Sequence, residues 1–438
     1  MRRVPSPLLH WDGCVKESIH SIPSPRGLAA AAILSGEEYV ALLESGGGLQ
    51  NRSRFTFLAL GARDAFRQEG IPGVYRNLGR FLEDRRCDTI PCRDMAVFTL
   101  SYDSVGDKED WLAPRLGGHH WPIALAFEPE KLMIYDHAAE RVISCPRSPT
   151  LSPARGQGGF RVEGKIYSTT REVFEDRVTK AIGEIERGEA FQIVLSRVER
   201  LYYKGSLFTA YLRLAGVNPS PYMYYMKAED LEIFGTSPEL LIKLDKGRLE
   251  THPIAGTRPR ARGSSDVCLE EELLGDEKEV AEHIMLVDLA RNDLASIAEP
   301  GTVEVTSFMD IEKYSHVMHI VSRVEAKARA GLAFYEAVSH TLPAGTVSGA
   351  PKPRAMEIIS RLEPEPRGPY AGAVGIGGSN AGEAAIIIRS GWTVGEGVLE
   401  IRAGAGIVYD SKPSREFMET EYKLAALRRI LKNGSNQG

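Results

Sequence analysis

The chain has 438 residues, of which 43% are hydrophobic and 26% are charged, and its formal charge is −5. The apolar content is ample for a large core, and scattered basic residues with a slight negative charge argue against a nucleic-acid partner. No apolar run approaches the roughly 20 residues of a membrane-spanning helix, and Leu28–Leu34 is too short and too late for a signal peptide. We therefore expect a cytoplasmic protein that binds neither nucleic acid nor membrane.

The cysteines are five in number and widely spaced, at Cys14, Cys87, Cys92, Cys145 and Cys268. They form no Cys-x-x-Cys pair, and one of them must remain unpaired. The sequence therefore suggests neither a disulfide framework nor a zinc site.

Helix-like and strand-like segments alternate without a strict βαβ order, which favours the α+β class. A connector rich in Pro, Ser, Gly and Arg spans 146–159. Helices are predicted at Val74–Leu82, after the capping box Thr169-x-x-Glu172, at Asp276–Asp293 and at Ser414–Leu431. Strands are predicted at Met95–Tyr102, Pro122–Phe127, Phe191–Val198, Tyr222–Met226, Leu231–Phe234, Leu240–Leu244, Glu383–Ser390 and Val398–Arg402.

The segment Gly345–Lys352 is a run of small residues that leads into a helix. Backbone N–H groups at a helix start, together with hydroxyls and the Lys352 ammonium, favour an anion. A nucleotide P-loop is excluded, since Pro353 follows the lysine where Ser or Thr would be required. The segment is thus either an anion site or an ordinary tight turn.

Two of the predicted helices each carry a Glu-x-x-Glu pair, Glu279/Glu282 and Glu416/Glu419. Residues three apart share one face of a helix, so each pair presents two carboxylates side by side. Such pairs are commonly solvated, but two pairs facing each other across a cleft would bind a cation such as Mg²⁺. Lys423 lies one turn beyond Glu419, either as its ion-pair partner or as a substrate contact.

Further groups suited to a small anion recur along the chain. Gly404-Ala405-Gly406 follows a predicted strand and can present bare N–H groups. Arg389 ends an apolar run, where a guanidinium usually has an anionic partner. Tyr370 fits either the core or a substrate hydrogen bond, and His319 either a buried core position or an acid–base role.

Residues from about Ser168 to Leu431 resemble the chorismate-binding catalytic domain of anthranilate synthase component I, aminodeoxychorismate synthase and isochorismate or salicylate synthases. The resemblance implies a large two-sheet α/β sandwich, with an N-terminal region at 1–150 intertwined with a catalytic domain at 160–432. Its matching runs are Phe191–Arg197, Thr236–Leu240, Pro253–Arg258, Asp288–Asp293, Gly345–Lys352, Tyr370–Val374 and Ala403–Ile407.

Single positions within these runs indicate which reaction the chain resembles. Enzymes of the family that add water place a Lys base where this chain has Gln192. Aminodeoxychorismate synthases usually carry a Lys where this chain has Ala255. The chain therefore is most similar to anthranilate synthase component I, although it has Ile376 where the family commonly has an aromatic residue.

The resemblance also implies roles for individual residues. Glu282 and Glu419 would ligate Mg²⁺ directly. Glu279 and Glu416 would neighbour these ligands or contact the metal through water. Glu239 would protonate the leaving hydroxyl of chorismate, His319 and Thr346 would act in pyruvate elimination, and Gln192 would take the place of the water-activating base. Contacts to the substrate would come from Gly256, Thr257, Tyr370, Arg389, Gly404, Gly406, Lys423 and Lys352.

Partners and regulation follow from the same resemblance. No cysteine lies between glycines as a glutaminase nucleophile requires, so ammonia would come from a separate glutamine amidotransferase subunit. Tryptophan would be a feedback inhibitor bound by Glu44, Ser45, Asn218, Pro219, Ser220, Tyr222, Met223 and Gly235. The alternatives are an aminodeoxychorismate synthase component, an isochorismate or salicylate synthase, and a non-catalytic sensor of chorismate or an amino acid.

Overall fold

The computed structural model describes residues 14–44, 54–145, 159–260, 265–314 and 317–432. The helices of this part of the chain are α1 Pro25–Leu34, α2 Val74–Glu83, α3 Arg171–Glu186, α4 Leu207–Val217, α5 Ser265–Gly275, α6 Glu277–Ala295, α7 Phe334–Thr341, α8 Gly345–Ser348, α9 Lys352–Leu362 and α10 Pro413–Lys432. None of these described helices is long and apolar enough to cross a membrane.

The strands are numbered in chain order. They are β1 Val15–Ser18, β2 Tyr39–Glu44, β3 Phe55–Leu60, β4 Asp64–Gln68, β5 Ala96–Leu100, β6 Ala124–Glu128, β7 Lys131–Asp136, β8 Arg141–Cys145, β9 Phe160–Ser168, β10 Gln192–Gly205, β11 Tyr222–Ala228, β12 Leu231–Ser237, β13 Leu240–Asp245, β14 Arg248–Thr251, β15 Ile254–Pro259, β16 Glu304–Lys313, β17 Val317–Lys327, β18 Gly349–Ala350, β19 Ala373–Gly377, β20 Gly382–Ile386, β21 Ser390–Thr393 and β22 Val398–Ile407.

Two antiparallel sheets contain these strands. The large sheet has 12 strands in the order β1-β8-β7-β3-β2-β11-β12-β21-β22-β10-β18, with β9 also paired to β10. The small sheet has 10 strands in the order β15-β17-β14-β13-β20-β19-β5-β6-β4, with β16 also paired to β17. Segregated antiparallel sheets with helices packed on them confirm the predicted α+β sandwich.

The N-terminal and C-terminal parts of the chain share both sheets. Strand β2 pairs with β11 in the large sheet, and β5 pairs with β19 in the small sheet. The N-terminal segment is therefore intertwined with the rest, as the resemblance implied. The connector predicted at 146–159 lies almost entirely outside the described residues, so the domain boundary at 150 stays a prediction.

The main core lies between the sheets. It joins Phe57 and Trp392 of the large sheet to Phe98 and Ile376 of the small one. A second cluster, which includes Tyr225, packs the outer face of the large sheet against α1, α4 and α10. Successive side chains of a strand point to opposite faces, so each apolar run of the large sheet supplies both cores.

Three predicted elements differ from the structure at the positions that matter for function. The single strand predicted at Glu383–Ser390 is two strands in different sheets, β20 and β21, and Arg389 lies in the break between them with φ 53°. The run 404–406, expected to follow a strand, lies inside β22. The cap of α3 is Thr170 rather than Thr169, because the Thr170 side chain accepts from the Val173 N–H.

The cysteine prediction was wrong. Antiparallel pairing of β1 with β8 brings Cys14 beside Cys145, and the two form a disulfide across 131 residues of sequence. Cys87 and Cys92 form a second disulfide, and Cys268 is free and exposed. The first pairing depends on the fold of the sheet, and wide spacing in sequence did not exclude it.

Candidate active site

A cavity of about 660 Å³ opens between the two sheets, and helices α6 and α10 line one side of it. Its wall includes every residue predicted to be catalytic or metal-binding. The predicted residues that line it are Gln192, Glu239, Gly256, Thr257, Glu279, Glu282, His319, Thr346, Tyr370, Arg389, Gly404, Gly406, Glu416, Glu419 and Lys423.

The four glutamates come from the facing helices. Burial and the charges of Glu279 and Glu419 raise the pKa of Glu282, while a hydrogen bond from the Gln192 amide (Nε2 to Oε1, 2.8 Å) opposes the rise. Burial also raises the pKa of Glu279 and of Glu416. The carboxylates therefore repel each other in a poorly solvated place, which favours a bound cation.

This donor set fits Mg²⁺. Arg258 lies 3.4 Å from Glu279, and Lys423 lies 2.7 Å from Glu419, whereas Glu282 forms no ion pair with any described residue. No three His, Cys, Asp or Glu side chains of the described residues form a cation cage. A hard cation held by one or two carboxylates, and otherwise by water and substrate, matches that arrangement.

The edge of β22 supplies backbone donors to the cavity. Beyond Ile401, β22 is paired only with β10 among the described strands, because β21 ends its pairing there. The Gly404 carbonyl accepts a hydrogen bond from the Lys423 ammonium (2.8 Å), so it faces away from β10. In an antiparallel strand the N–H and C=O of one residue point to the same side, so the Gly404 N–H also faces away from β10. Gly406 is two residues further along β22, so its N–H points in the same direction. The two N–H groups therefore lie along the edge of β22 that faces the cavity.

Side chains are excluded at both glycines. A Cβ at Gly404 would lie 2.5 Å from the Tyr370 hydroxyl oxygen, and one at Gly406 would lie 2.6 Å from the Gln192 amide nitrogen. Both distances are far below van der Waals contact. Glycine at these positions keeps the backbone open to a ligand.

Arg389 projects from the break between β20 and β21. Burial lowers the pKa of its guanidinium, and the charges of Tyr314 and Glu239 oppose that fall without an ion pair between Arg389 and a described carboxylate. Tyr370, which is buried, lies on the same cavity wall. A desolvated guanidinium beside a phenol is suited to a carboxylate ligand.

His319 projects from β17 and is fixed by the Gly256 turn. Its Nδ1 lies 2.8 Å from the Gly256 carbonyl oxygen and 3.0 Å from the Thr257 hydroxyl. Because a carbonyl only accepts, Nδ1 carries the proton in the neutral ring, which leaves the lone pair on Nε2. Gly256 has φ 64°, a conformation that suits glycine.

Two residues predicted for the site each place on the wall a buried polar atom without a hydrogen-bond partner in the described part of the chain. The Thr346 hydroxyl and the Gln192 side-chain oxygen have no hydrogen-bond partner among the described residues. Buried polar atoms are rarely left unsatisfied, so both atoms indicate where a polar ligand binds. Glu239, which is also buried, lines the same cavity from the turn between β12 and β13.

Lys352, by contrast, is not on the cavity wall. Its ammonium is bound to both carboxylate oxygens of Asp293, at 2.6 Å and 2.5 Å, and to the Thr341 carbonyl at 3.2 Å. The expected contact with the anion is therefore not present. Pro351 occupies the N-cap position of the helix that Lys352 begins, without a side-chain hydrogen bond to it.

Arg402 is the cavity residue that sequence reasoning missed. It is 2% exposed, and its Nε and Nη1 have no hydrogen-bond partner among the described residues. Its position in the strand could have indicated it, because Arg402 lies on the same face of β22 as Gly404 and Gly406, which were predicted for the site.

The residues predicted to bind tryptophan do not all lie in one place in the structure. Glu44, Tyr222 and Met223 line a second cavity of about 30 Å³ between the sheets. Arg26 holds the Glu44 carboxylate at 3.0 and 2.9 Å. Asn218 lines the large cavity instead, Pro219 and Ser220 precede β11, Gly235 lies in β12 beside Tyr224, and Ser45 is outside the described residues.

The family model described as chorismate binding enzyme matches residues 49–429. The chain belongs to the chorismate-binding enzyme family. Within that family, it is 56% identical over 432 residues to anthranilate synthase component 1 of Aeropyrum pernix, with 98% of each chain covered. It is 42% identical to anthranilate synthase component 1 of Saccharolobus solfataricus, covering 88% of this chain and 92% of that relative.

A solved member of the family has the same fold. The crystal structure of anthranilate synthase component I from Streptococcus pneumoniae TIGR4 matches with a TM-score of 0.73 and 30% identity. The match covers 86% of this chain and 95% of that one. The two-sheet sandwich is therefore the fold of this chorismate-binding family member along nearly its whole length.

Proposed function

We propose that this chain is component I of an anthranilate synthase, which converts chorismate and ammonia to anthranilate, pyruvate and water. The observation that carries the proposal is that groups suited to an anion and groups suited to a cation line one and the same cavity. Near-complete coverage of a relative of that name at 56% identity supports the same assignment.

Chorismate carries two carboxylates, and the cavity offers a place for each. Arg389 and Tyr370 are suited to the enolpyruvyl carboxylate. The N–H groups of Gly404 and Gly406, with Mg²⁺ on Glu282 and Glu419, are suited to the ring carboxylate. When bound, the cation neutralises that carboxylate and orients the ring.

The chemistry proposed for the chain's own residues has two steps. In the first, ammonia forms a bond to C2, the ring double bonds shift, and the 4-hydroxyl departs as water with a proton from Glu239. In the second, His319 removes the C2 proton, a double bond forms between C2 and C3, and the bond from C3 to the enolpyruvyl oxygen breaks. The ring becomes aromatic, and the departing enolpyruvate takes up a proton to give pyruvate. Thr346 hydrogen-bonds the substrate in this second step.

Two positions favour amination at C2 over the alternative reactions. Gln192 is hydrogen-bonded to Glu282 and cannot act as the base that water addition requires. Ala255 offers no side-chain amine where aminodeoxychorismate synthases usually have one. Amination at C2 followed by elimination is therefore the reaction we propose, in the cytoplasm and with a glutamine amidotransferase as partner subunit. Disulfides are known in intracellular proteins of hyperthermophiles, so the two found in this chain are compatible with that compartment.

The test supplies the purified chain with chorismate, MgCl₂ and an ammonium salt. We expect anthranilate fluorescence and an equimolar amount of pyruvate, both abolished by EDTA. Formation of 4-amino-4-deoxychorismate, isochorismate or salicylate would assign one of the alternative reactions. Chorismate binding without any product would indicate a sensor and reject the enzyme.

We also propose feedback inhibition by tryptophan at the small cavity. Strands β2 and β11 of the large sheet and β19 and β20 of the small sheet line it. At about 30 Å³ it is smaller than an indole, so a bound ligand would have to separate the two sheets. The large cavity lies between the same sheets, so this separation would lower its affinity for chorismate.

For tryptophan, the expected result is a loss of anthranilate formation when it is titrated into an assay with chorismate below its KM. The effect should weaken as chorismate is raised, because the two ligands favour different spacings of the sheets. Ser45→Phe should be insensitive. Full activity of the unaltered chain at millimolar tryptophan, or equal inhibition of Ser45→Phe, would contradict the proposal.

A further inference from the structure

The Lys352–Asp293 ion pair joins α6, which lines the large cavity, to the start of α9. Asp293 lies near the end of α6, and Lys352 begins α9. The side chains are 14% and 17% exposed. All three ammonium donors are used, on two carboxylate oxygens and the Thr341 carbonyl. This is a fully coordinated pair within the protein, and it is off the cavity wall.

At one end, the pair holds the helix that carries the glutamates. Asp293 follows Glu279, Glu282 and Leu286 at helical spacing, so it lies on the same side of α6. Those three residues line the cavity, and Asp293 does not. The carboxylate of Asp293 therefore anchors this face of α6 at a point beyond the end of the cavity.

At the other end, the pair holds the segment 345–351, which carries Thr346. Gly345 packs directly on α6, where a Cβ would lie 2.5 Å from the Leu289 side chain. Gly349 and Ala350 then pair with Ile193 and Gln192 of β10. The position of the unpartnered Thr346 hydroxyl thus depends on where this segment is held against α6.

These contacts close a ring. The Gln192 amide donates to Glu282 of α6, Gln192 pairs with Ala350, and Lys352 returns to Asp293 of the same helix. A small cavity of about 20 Å³ lies next to Asp293, and its wall also includes Thr346 and Glu239. Asp293 and Thr341, whose carbonyl binds Lys352, therefore share one small cavity with Thr346 and Glu239.

We infer that Lys352 and Asp293 are positioning residues: their ion pair fixes Thr346 and Gln192 relative to the Glu282 carboxylate. The inference rests on the proposed function, since it assigns the pair to the chemistry of that site. Neither residue touches the substrate. The pair therefore acts on turnover and on the course of the reaction rather than on chorismate affinity.

The test is Lys352→Met in the full chain, assayed with ammonium salt. We expect kcat to fall about tenfold or more while KM for chorismate stays within about threefold, because misplacing a catalytic group costs rate rather than binding. The share of aminated intermediate released before pyruvate loss should rise, because Thr346 acts in the second step. Lys352→Arg should restore most of the rate. In Asp293→Asn, which keeps the shape of the carboxylate, the same loss is expected.

A matched control separates positioning from stability. Arg177 and Glu365 form another ion pair, 3.3 Å long with 8% and 17% exposure, away from both cavities. Arg177→Met should lower the melting temperature without changing product partitioning. The Lys352→Met/Asp293→Asn double variant should be no slower than either single variant, since both remove one interaction.

Three results would overturn the inference: an unchanged kcat in Asp293→Asn, additive losses in the double variant, or equal partitioning in Lys352→Met and Arg177→Met. If Lys352→Met does not fold, Asp293→Asn and Lys352→Arg still decide the matter. An unaltered chain that makes no anthranilate contradicts the proposed function instead, which keeps the two failures distinct.

Discussion

Replacing Glu282 with Gln is expected to lower Mg²⁺-dependent anthranilate formation by about 100-fold or more, because a hard cation loses an anionic oxygen. The fold should survive. The Gln192 amide still finds an acceptor on the new side chain, and removing one charge relieves repulsion from Glu279 and Glu419. The melting temperature should therefore match or exceed that of the unaltered chain. Steady-state rates across a MgCl₂ titration, with a thermal melt, measure both.

Glu277→Gln is the matched control, because Glu277 belongs to the same helix but is exposed and off the cavity wall. Its rate and its magnesium dependence should be unchanged. Glu419→Gln should behave like Glu282→Gln. Wild-type activity with an unchanged magnesium midpoint in either variant would remove that residue from the cation site.

The sequence predicts those features of the site that depend on spacing within one helix or strand, and not those that depend on tertiary packing. The Glu-x-x-Glu pairs are local: helical geometry alone places each pair on one face, and both pairs do line the cavity. That the two helices face each other is not local. The resemblance to the family implied it, and the packing explains it: α6 lies on β15 and β17 of the small sheet, and α10 lies on β22 of the large one.

Lys352 shows the limit of local reasoning. A lysine at a helix start beside small residues is typical of an anion site, and that was the prediction. Its actual partner, Asp293, is 59 residues away in sequence. A carboxylate brought in by tertiary packing uses all the donors that a ligand would have needed.

Strand register and sheet membership were also beyond the sequence. The run Glu383–Ser390 reads as one apolar strand, yet the chain changes sheets there and Arg389 emerges at the change. Arg402 has the same phase as Gly404, but its burial without hydrogen-bond partners for two of its nitrogens is a property of the packed sandwich. Cys14 and Cys145 likewise meet only because β1 and β8 are neighbours.

Replacing His319 with Met is expected to slow pyruvate elimination about 10²–10⁴-fold, the usual contribution of a positioned general base, and to slow amination much less. The reason is the tautomer: Nδ1–H donates a hydrogen bond to the Gly256 carbonyl, so the lone pair that can take the C2 proton is on Nε2. Aminodeoxyisochorismate should therefore accumulate. Chromatography of single-turnover mixtures with chorismate, MgCl₂ and ammonium measures both products.

The control is His137→Met, because His137 follows β7 and lines none of the three cavities, and its ring is bonded to Thr56. It loses the same imidazole without touching the site, so its products should match those of the unaltered chain. Methionine in place of His319 cannot accept a proton at neutral pH, so anthranilate formed at the normal rate would rule this histidine out as the base. A parallel loss of both steps would instead indicate that the His319 ring chiefly holds the Gly256 turn against β17. Accumulation of the aminated intermediate in His319→Met, and not in the control, is the outcome expected of a base that acts after amination.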